Sequence, residues 1–190
     1  MPLLYKYLFH AMWFTYIAYW WAMSWNVKPA ERTEALASRF TRMALIVIAG
    51  LLLGLGSVPF PLLNERFLPS SDLCFWSGAA ITAAGLLFSV WARHYLGGNW
   101  SQAVTVKEDH ELIQSGPYSL VRHPIYTGLL VGFIGSAVSL GEWRGILAVL
   151  LVGSSFWRKL RTEERGMRQL FGERYLNYER RVSALIPFLL

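Results

Sequence analysis

Residues whose types and spacing could do chemistry fall in two polar stretches, 93–123 and 158–181. The first runs into Ser115-Gly116-Pro117-Tyr118-Ser119-Leu120-Val121-Arg122-His123-Pro124-Ile125-Tyr126-Thr127-Gly128. Gly116-Pro117 reads as a turn. Pro124 suits the first position of a helix, where a missing N–H costs nothing. Arg122 and His123 are then expected at the mouth of that helix beside free backbone donors, a place that favours a ligand carboxylate. Tyr126 offers a ring and a hydroxyl, and Gly128 offers room for close approach. The plainer reading of Arg-His-Pro is a membrane-interface marker with Arg122 facing lipid phosphates, and spacing alone leaves both open.

The second stretch holds Arg161-Thr162-Glu163-Glu164, then Met167, Leu170, Phe171-Gly172, Tyr175 and Tyr178. Leu160, Met167, Leu170 and Phe171 share a face at helical spacing, and one of the two carboxylates should lie close to it. Such a carboxylate can bind a ligand amine or hydroxyl, or pair with Arg161 or Arg165. For Glu164 the expectation is the solvated i,i+4 pattern of a surface helix.

The elements that must position these groups read as membrane helices. Hydrophobic residues make up 54% of the 190 residues and charged residues 16%. A soluble domain carries about 25% charged residues, so the chain is short of polar surface. Nine Trp, nine Tyr and eleven Phe suit the headgroup level of a bilayer. A net charge of +6 could serve nucleic acid, but the cations flank apolar runs and gather near the C-terminus, which points to a membrane surface and not to nucleic acid. Cys74 has no partner in the chain, so no intrachain disulfide forms, and it reads as a small hydrophobe. No Cys/His spacing suits zinc.

Three runs are long enough to cross a bilayer, which takes roughly 20 apolar residues: 7–25, 43–63 and 73–92. Pro59 and Pro61 should end the second helix early, and Gly78 and Gly85 should be close-packing points in the third. The first run lacks a small-x-small cleavage site and is read as a retained helix. Two shorter runs, 125–141 and 145–157, are expected to form a hairpin whose second arm is completed by snorkelling Arg158 and Lys159. With the N-terminus outside, 15 of the 18 Lys and Arg lie on the cytoplasmic side, and only Lys6, Arg66 and Arg144 lie outside. The Asn99-Trp100-Ser101 sequon then faces the cytoplasm. Gly50, Gly54 and Gly56 sit in a membrane run without a βαβ context and are no nucleotide fingerprint. The expected fold is all-α and polytopic: about five membrane-embedded helices, the last two a hairpin, plus a cytoplasmic C-terminal helix. It is read as one domain over 1–190, with two N-terminal spans in 1–72 and the site in 73–190.

Residues 91–188 resemble the isoprenylcysteine carboxyl methyltransferase and phospholipid methyltransferase family of helical membrane enzymes. The resemblance rests on Asp109-His110-x-Leu112, Ser115-Gly116-Pro117-Tyr118 and Arg122-His123-Pro124-x-Tyr126-x-Gly128, followed by Glu163-Glu164, Phe171-Gly172, Tyr175, Tyr178, Val182 and Pro187, all in the family's order. It implies S-adenosylmethionine as cofactor, bound without a Rossmann fold between the C-terminal helices and the loop before the fourth span. The contacts it implies are His110, Glu111, Leu112, Ile113, Tyr118, His123, Pro124, Ile125, Tyr126 and Glu163, with Gln102 as a further candidate. The arginine that such enzymes place before the acidic pair falls on Lys159, flanked by Arg158 and Arg161. A carboxylate acceptor needs a cation and no base, so Arg122, Arg158 and Arg161 are the catalytic candidates beside Glu163. An amine or thiol acceptor would use His123 or Glu163 as base. The implied partners are the bilayer and a lipid-like acceptor: a prenylcysteine carboxylate first, a phospholipid amine or a small thiol or isoprenoid next. The rival readings are an NADPH-dependent reductase of the sterol-reductase type and a non-catalytic membrane scaffold.

Overall fold

The computed structural model describes residues 3–24, 36–97 and 112–187, with side chains from residue 7 onward and up to 23 in the first segment. Among the described residues there are six α-helices: α1 (Leu3–Ser24), α2 (Leu36–Gly54), α3 (Asp72–Leu96), α4 (Pro124–Leu140), α5 (Trp143–Phe171) and α6 (Glu173–Arg181). Among the described residues there is no strand, only an isolated bridge between Arg66 and Glu142. The helices start and stop where the local chemistry predicts. Ser71 caps α3 by accepting from the Cys74 N–H, and Pro124 opens α4. Helix α2 ends at Gly54, ahead of Pro59, as the prolines require.

Helices α2 and α3 are long and apolar enough to cross a membrane, and α4 is a shorter apolar helix. Large apolar side chains face outward, Phe14 at 74% and Phe40 at 73% exposure among them. A continuous exposed apolar surface of this kind belongs in lipid. The core of the bundle is built from Ala49 and Leu52 of α2, Phe133 of α4, and Ala148, Val152 and Phe156 of α5.

The α3/α4 pair is the tightest seam. A Cβ added at Gly85 would lie 2.5 Å from the Gly128 carbonyl oxygen, and one at Gly78 would lie 2.6 Å from that of Gly135. Small residues let backbones approach and maximise dispersion where lipid supplies no hydrophobic drive. The seam uses Gly78 and Gly85 as expected, but it also absorbs Gly128. That glycine makes room for Gly85 and Ser89, not for a ligand. Polar side chains tie α1 to the seam: Trp13 Nε1–H donates to Ser136 Oγ at 3.0 Å, and the Tyr16 and Ser89 hydroxyls lie 2.8 Å apart.

The expected hairpin exists, but its second arm is far longer than the run 145–157. Helix α5 continues unbroken to Phe171, so its 29 residues extend about 43 Å. The polar stretch from Arg158 is therefore the continuation of α5 and no separate helix. The stretch 158–171 holds no proline, and its single glycine, Gly166, costs only about 1 kcal/mol, so the helix runs on through the charged residues. At the tip, Gly141 takes a left-handed conformation with φ 67°. Its carbonyl accepts from the Phe67 and Leu68 N–H groups at 2.9 and 3.2 Å. Arg144 is buried there, donating from Nε to Glu142 at 2.6 Å and from Nη1 to the Leu55 carbonyl at 2.6 Å.

Candidate functional site

Helix α5 presents two adjacent carboxylates in two different environments. Successive residues on a helix are rotated by about 100°, so one can face an open cavity while the next enters the core. The Glu164 side chain is 5% exposed and that of Glu163 26%. Arg122 donates to Glu164 Oε1 from Nε at 3.0 Å and from Nη2 at 2.6 Å, and His123 Nε2 lies 3.3 Å from the same oxygen. Burial raises the Glu164 pKa, but the His123 and Arg122 hydrogen bonds and charges outweigh it and hold the carboxyl at about 2. Glu164 is thus an ionised acceptor, so the proton on that side of the imidazole belongs to Nε2. In the neutral ring this leaves the Nδ1 lone pair facing Glu163, whose Oε2 is 3.7 Å away.

Arg122 also lines the cavity, but most of its donors are used within the protein. Nη1 donates to the carbonyls of Glu179, at 3.1 Å, and Val182, and Nη2 lies 3.7 Å from Glu179 Oε1. Two of the backbone donors at the helix mouth, those of Arg122 and His123, are also used. Arg122 N–H donates to Ser183 O at 2.8 Å and His123 N–H to Ala184 O at 3.0 Å, while Thr127 Oγ1 donates to Leu185 O at 2.7 Å. The segment after α6 therefore straps onto the loop before α4; it does not simply return to the membrane surface. Ile125 and Tyr126, in the first turn of α4, carry N–H groups that no intrahelical carbonyl can reach.

Helix α6 closes the other side. Tyr175 and Tyr178 bury against Leu112, with Met167, Phe171 and Val182 packed around them. Tyr178 Oη–H donates to the Tyr118 carbonyl at 2.5 Å. Arg168 of α5 grips Glu179 of α6 through both carboxylate oxygens, at 2.9 and 2.5 Å. Burial pushes the Tyr118, Tyr175 and Tyr178 phenols well above the ordinary range, so they remain donors.

These walls enclose one end of a cavity of about 2710 Å³. Tyr126 Oη–H donates to Glu163 Oε1 at 2.8 Å, and its ring stacks between His123 and Phe156 at centroid distances of 5.8 and 5.0 Å. Leu112, Ile113, Tyr118, His123, Pro124, Ile125, Tyr126 and Glu163 all line the cavity. Gln102, His110 and Glu111 lie outside the described residues. Arg158 and Arg161 do not line the cavity. They sit on the opposite face of α5, with the Arg161 guanidinium 4.9 Å over the Trp157 ring. Of the cations at 158, 159 and 161, the one brought to the cavity is Lys159, whose Nζ is 3.5 Å from Glu163 Oε1. Phe156, Lys159 and Glu163 follow at i, i+3 and i+7, one face of α5. Glu164 corrects the expectation of a solvated residue. Its signal was in the sequence: it stands i+4 from Leu160 and i−4 from Arg168, on the buried side.

Residues 73–174 match the phospholipid methyltransferase family. The chain is 34% identical over 137 residues to the protein-S-isoprenylcysteine O-methyltransferase of Rattus norvegicus, covering 67% of this chain and 47% of that protein. The enzyme of the same name from Saccharomyces cerevisiae is 28% identical over 123 residues, 63% of this chain and 52% of that one. A probable protein-S-isoprenylcysteine O-methyltransferase of Oryza sativa subsp. indica is 30% identical over 133 residues, 68% of this chain and 67% of that one. The chain spans about half the length of several of these relatives. With the match running over more than half of the chain, from the start of α3 into the first residues of α6, the chain belongs to the phospholipid methyltransferase and isoprenylcysteine carboxyl methyltransferase family.

Proposed function

We propose that this chain transfers a methyl group from S-adenosylmethionine to a lipid-like acceptor, a prenylcysteine-type carboxylate before others. The observation that carries the proposal is Glu163, a half-buried carboxylate at the polar end of a cavity whose other end lies between apolar helices. The residues present fit the cofactor. Glu163 suits its cationic groups, the first-turn N–H groups of Ile125 and Tyr126 suit its carboxylate, and Leu112, Ile113 and Phe171 offer an apolar wall for a purine. When bound, it supplies an electrophilic methyl group on a sulfonium.

The chain's own residues align, shield and hold charge. The His123–Tyr126–Phe156 stack, pinned by Glu163, fixes one wall of the cavity and limits reorganisation. Apolar lining keeps water from the reacting end. Lys159 takes the part assigned on sequence to Arg158 and Arg161: a cation on the cavity face that holds an acceptor carboxylate. For an amine acceptor, His123 Nδ1 or Glu163 would take the proton.

The reading includes five membrane-embedded helices, α1 to α5, in one domain, with the N-terminus outside and α6 and the site on the cytoplasmic side. The cation bias and the outward apolar side chains support it. A lipid chain would enter between α1 and α2, which the His10–Gly54 hydrogen bond (3.2 Å) joins near their outer ends. The family's description favours a phospholipid amine as the second acceptor.

The test is calorimetric titration of S-adenosylmethionine into the detergent-purified protein, with NADPH in parallel. Saturable binding of the first alone is expected, weakened at least about tenfold in Glu163→Gln with its unfolding temperature unchanged. Binding of neither by folded protein would sink the proposal. Labelled methyl transferred to an amine-blocked S-farnesylcysteine should come off as methanol in base, because an ester hydrolyses and a methylated amine does not.

A further inference from the structure

Arg158 and Arg161, excluded from the cavity, are not scattered surface charges. They line a groove of about 580 Å³ between the start of α2 and the middle of α5, together with Arg42, Lys159 and Arg165, which also border the cavity. No carboxylate lines it among the described residues. Arg158, Arg161 and Arg165 make no ion pair among the described residues. Arg161 lies over Trp157, and Arg165 donates to the Arg161 carbonyl at 3.3 Å and to Thr162 Oγ1 at 3.4 Å. Arg158 and Arg161 are i,i+3 neighbours and Arg161 and Arg165 i,i+4 neighbours. Like charges at those spacings repel and weaken a helix unless an anion lies between them.

The depth of the groove identifies the anion. The apolar run of α2 begins at Met43, just past Arg42, and that of α5 ends at Trp157, just before Arg158. Trp157 is 48% exposed, and Phe40 projects outward from the start of α2. An exposed indole beside clustered guanidinium groups is what the headgroup layer of a bilayer selects. A soluble anion would find the cations but would leave these rings in water. We infer that the α2/α5 groove, through Arg158 and Arg161, is a binding site for the phosphate headgroup of an anionic phospholipid of the cytoplasmic leaflet, adjoining the methyl-transfer cavity. Guanidinium forks bind phosphate oxygens in pairs, and the lipid's chains run up the exposed apolar face of α2.

The experiment is native mass spectrometry of the full chain in neutral detergent, titrated with phosphatidylglycerol or phosphatidylcholine. Wild type should hold phosphatidylglycerol at least about tenfold more tightly than phosphatidylcholine. Arg158→Gln/Arg161→Gln should remove most of that preference, and Arg158→Lys/Arg161→Lys should keep much of it. Retained S-adenosylmethionine affinity in the Gln variant shows that it is folded and that the two sites are separate. Inorganic phosphate should not displace the lipid. Equal retention of both lipids by wild type, an unchanged preference in the Gln variant, or displacement by inorganic phosphate alone would each overturn the inference.

Discussion

Glu163 and Glu164 are neighbours in sequence with opposite roles, and the difference is measurable. Glu164 neutralises Arg122, which is nearly as buried. Removing one member of such a pair leaves an uncompensated charge, so Glu164→Ala should cost about 3–5 kcal/mol of stability. The acid limb follows from the same contacts. The folded pKa is about 2 against an ordinary 4.5, so the contribution is complete above about pH 4.5 and is lost as pH falls toward 2. It amounts to about 3 kcal/mol. Unfolding midpoints of wild type and Glu164→Gln should therefore converge over that window; a gap that stays constant down to pH 2 would contradict the pairing. His123 occupies the hinge between the two roles, with one nitrogen committed to the buried carboxylate and the other to the cavity.

Elements carry the next layer. The α3/α4 seam sets where the N-terminus of α4, and with it His123 and Tyr126, stands. A Cβ at Gly135 would lie 2.4 Å from the Thr82 backbone nitrogen, an atom that cannot move aside alone. Gly135→Ala should cost about 1–3 kcal/mol, read as a lowered unfolding temperature in detergent. At Gly153, where the nearest atom to an added Cβ is a Leu130 methyl at 3.9 Å, the same change should be harmless. The unbroken α5 matters equally, because one rigid helix ties the bundle core at Ala148 and Val152 to Lys159 and Glu163 at the site.

At the scale of the whole molecule, the site is assembled from distant parts of the chain and closed by its last turns. Arg122, His123 and Thr127 all hold residues 182–185 through hydrogen bonds. A chain ending at Arg181 should keep its helical bundle, judged by far-ultraviolet circular dichroism, yet lose S-adenosylmethionine binding by calorimetry. Unchanged affinity would mean that the strap is decoration.

The sequence by itself determined most of the elements and the side chains at the polar end of the cavity. Pro59, Pro124 and the small residues Gly78 and Gly85 act locally, and local steric rules read them correctly. The motif string placed Tyr118, His123, Tyr126 and Glu163 on one cavity before any coordinates. Tertiary structure decided which charges face inward. Whether Lys159 or its arginine neighbours reach the cavity depends on the rotation of α5 against α2 and α4, and a stretch with cations at 158, 159 and 161 has no periodicity to fix that rotation. The burial of Glu164 likewise depends on Arg122 arriving from 42 residues away. A carboxylate enters the core only when such a partner meets it there, because the pair's attraction must offset the loss of water around both ions.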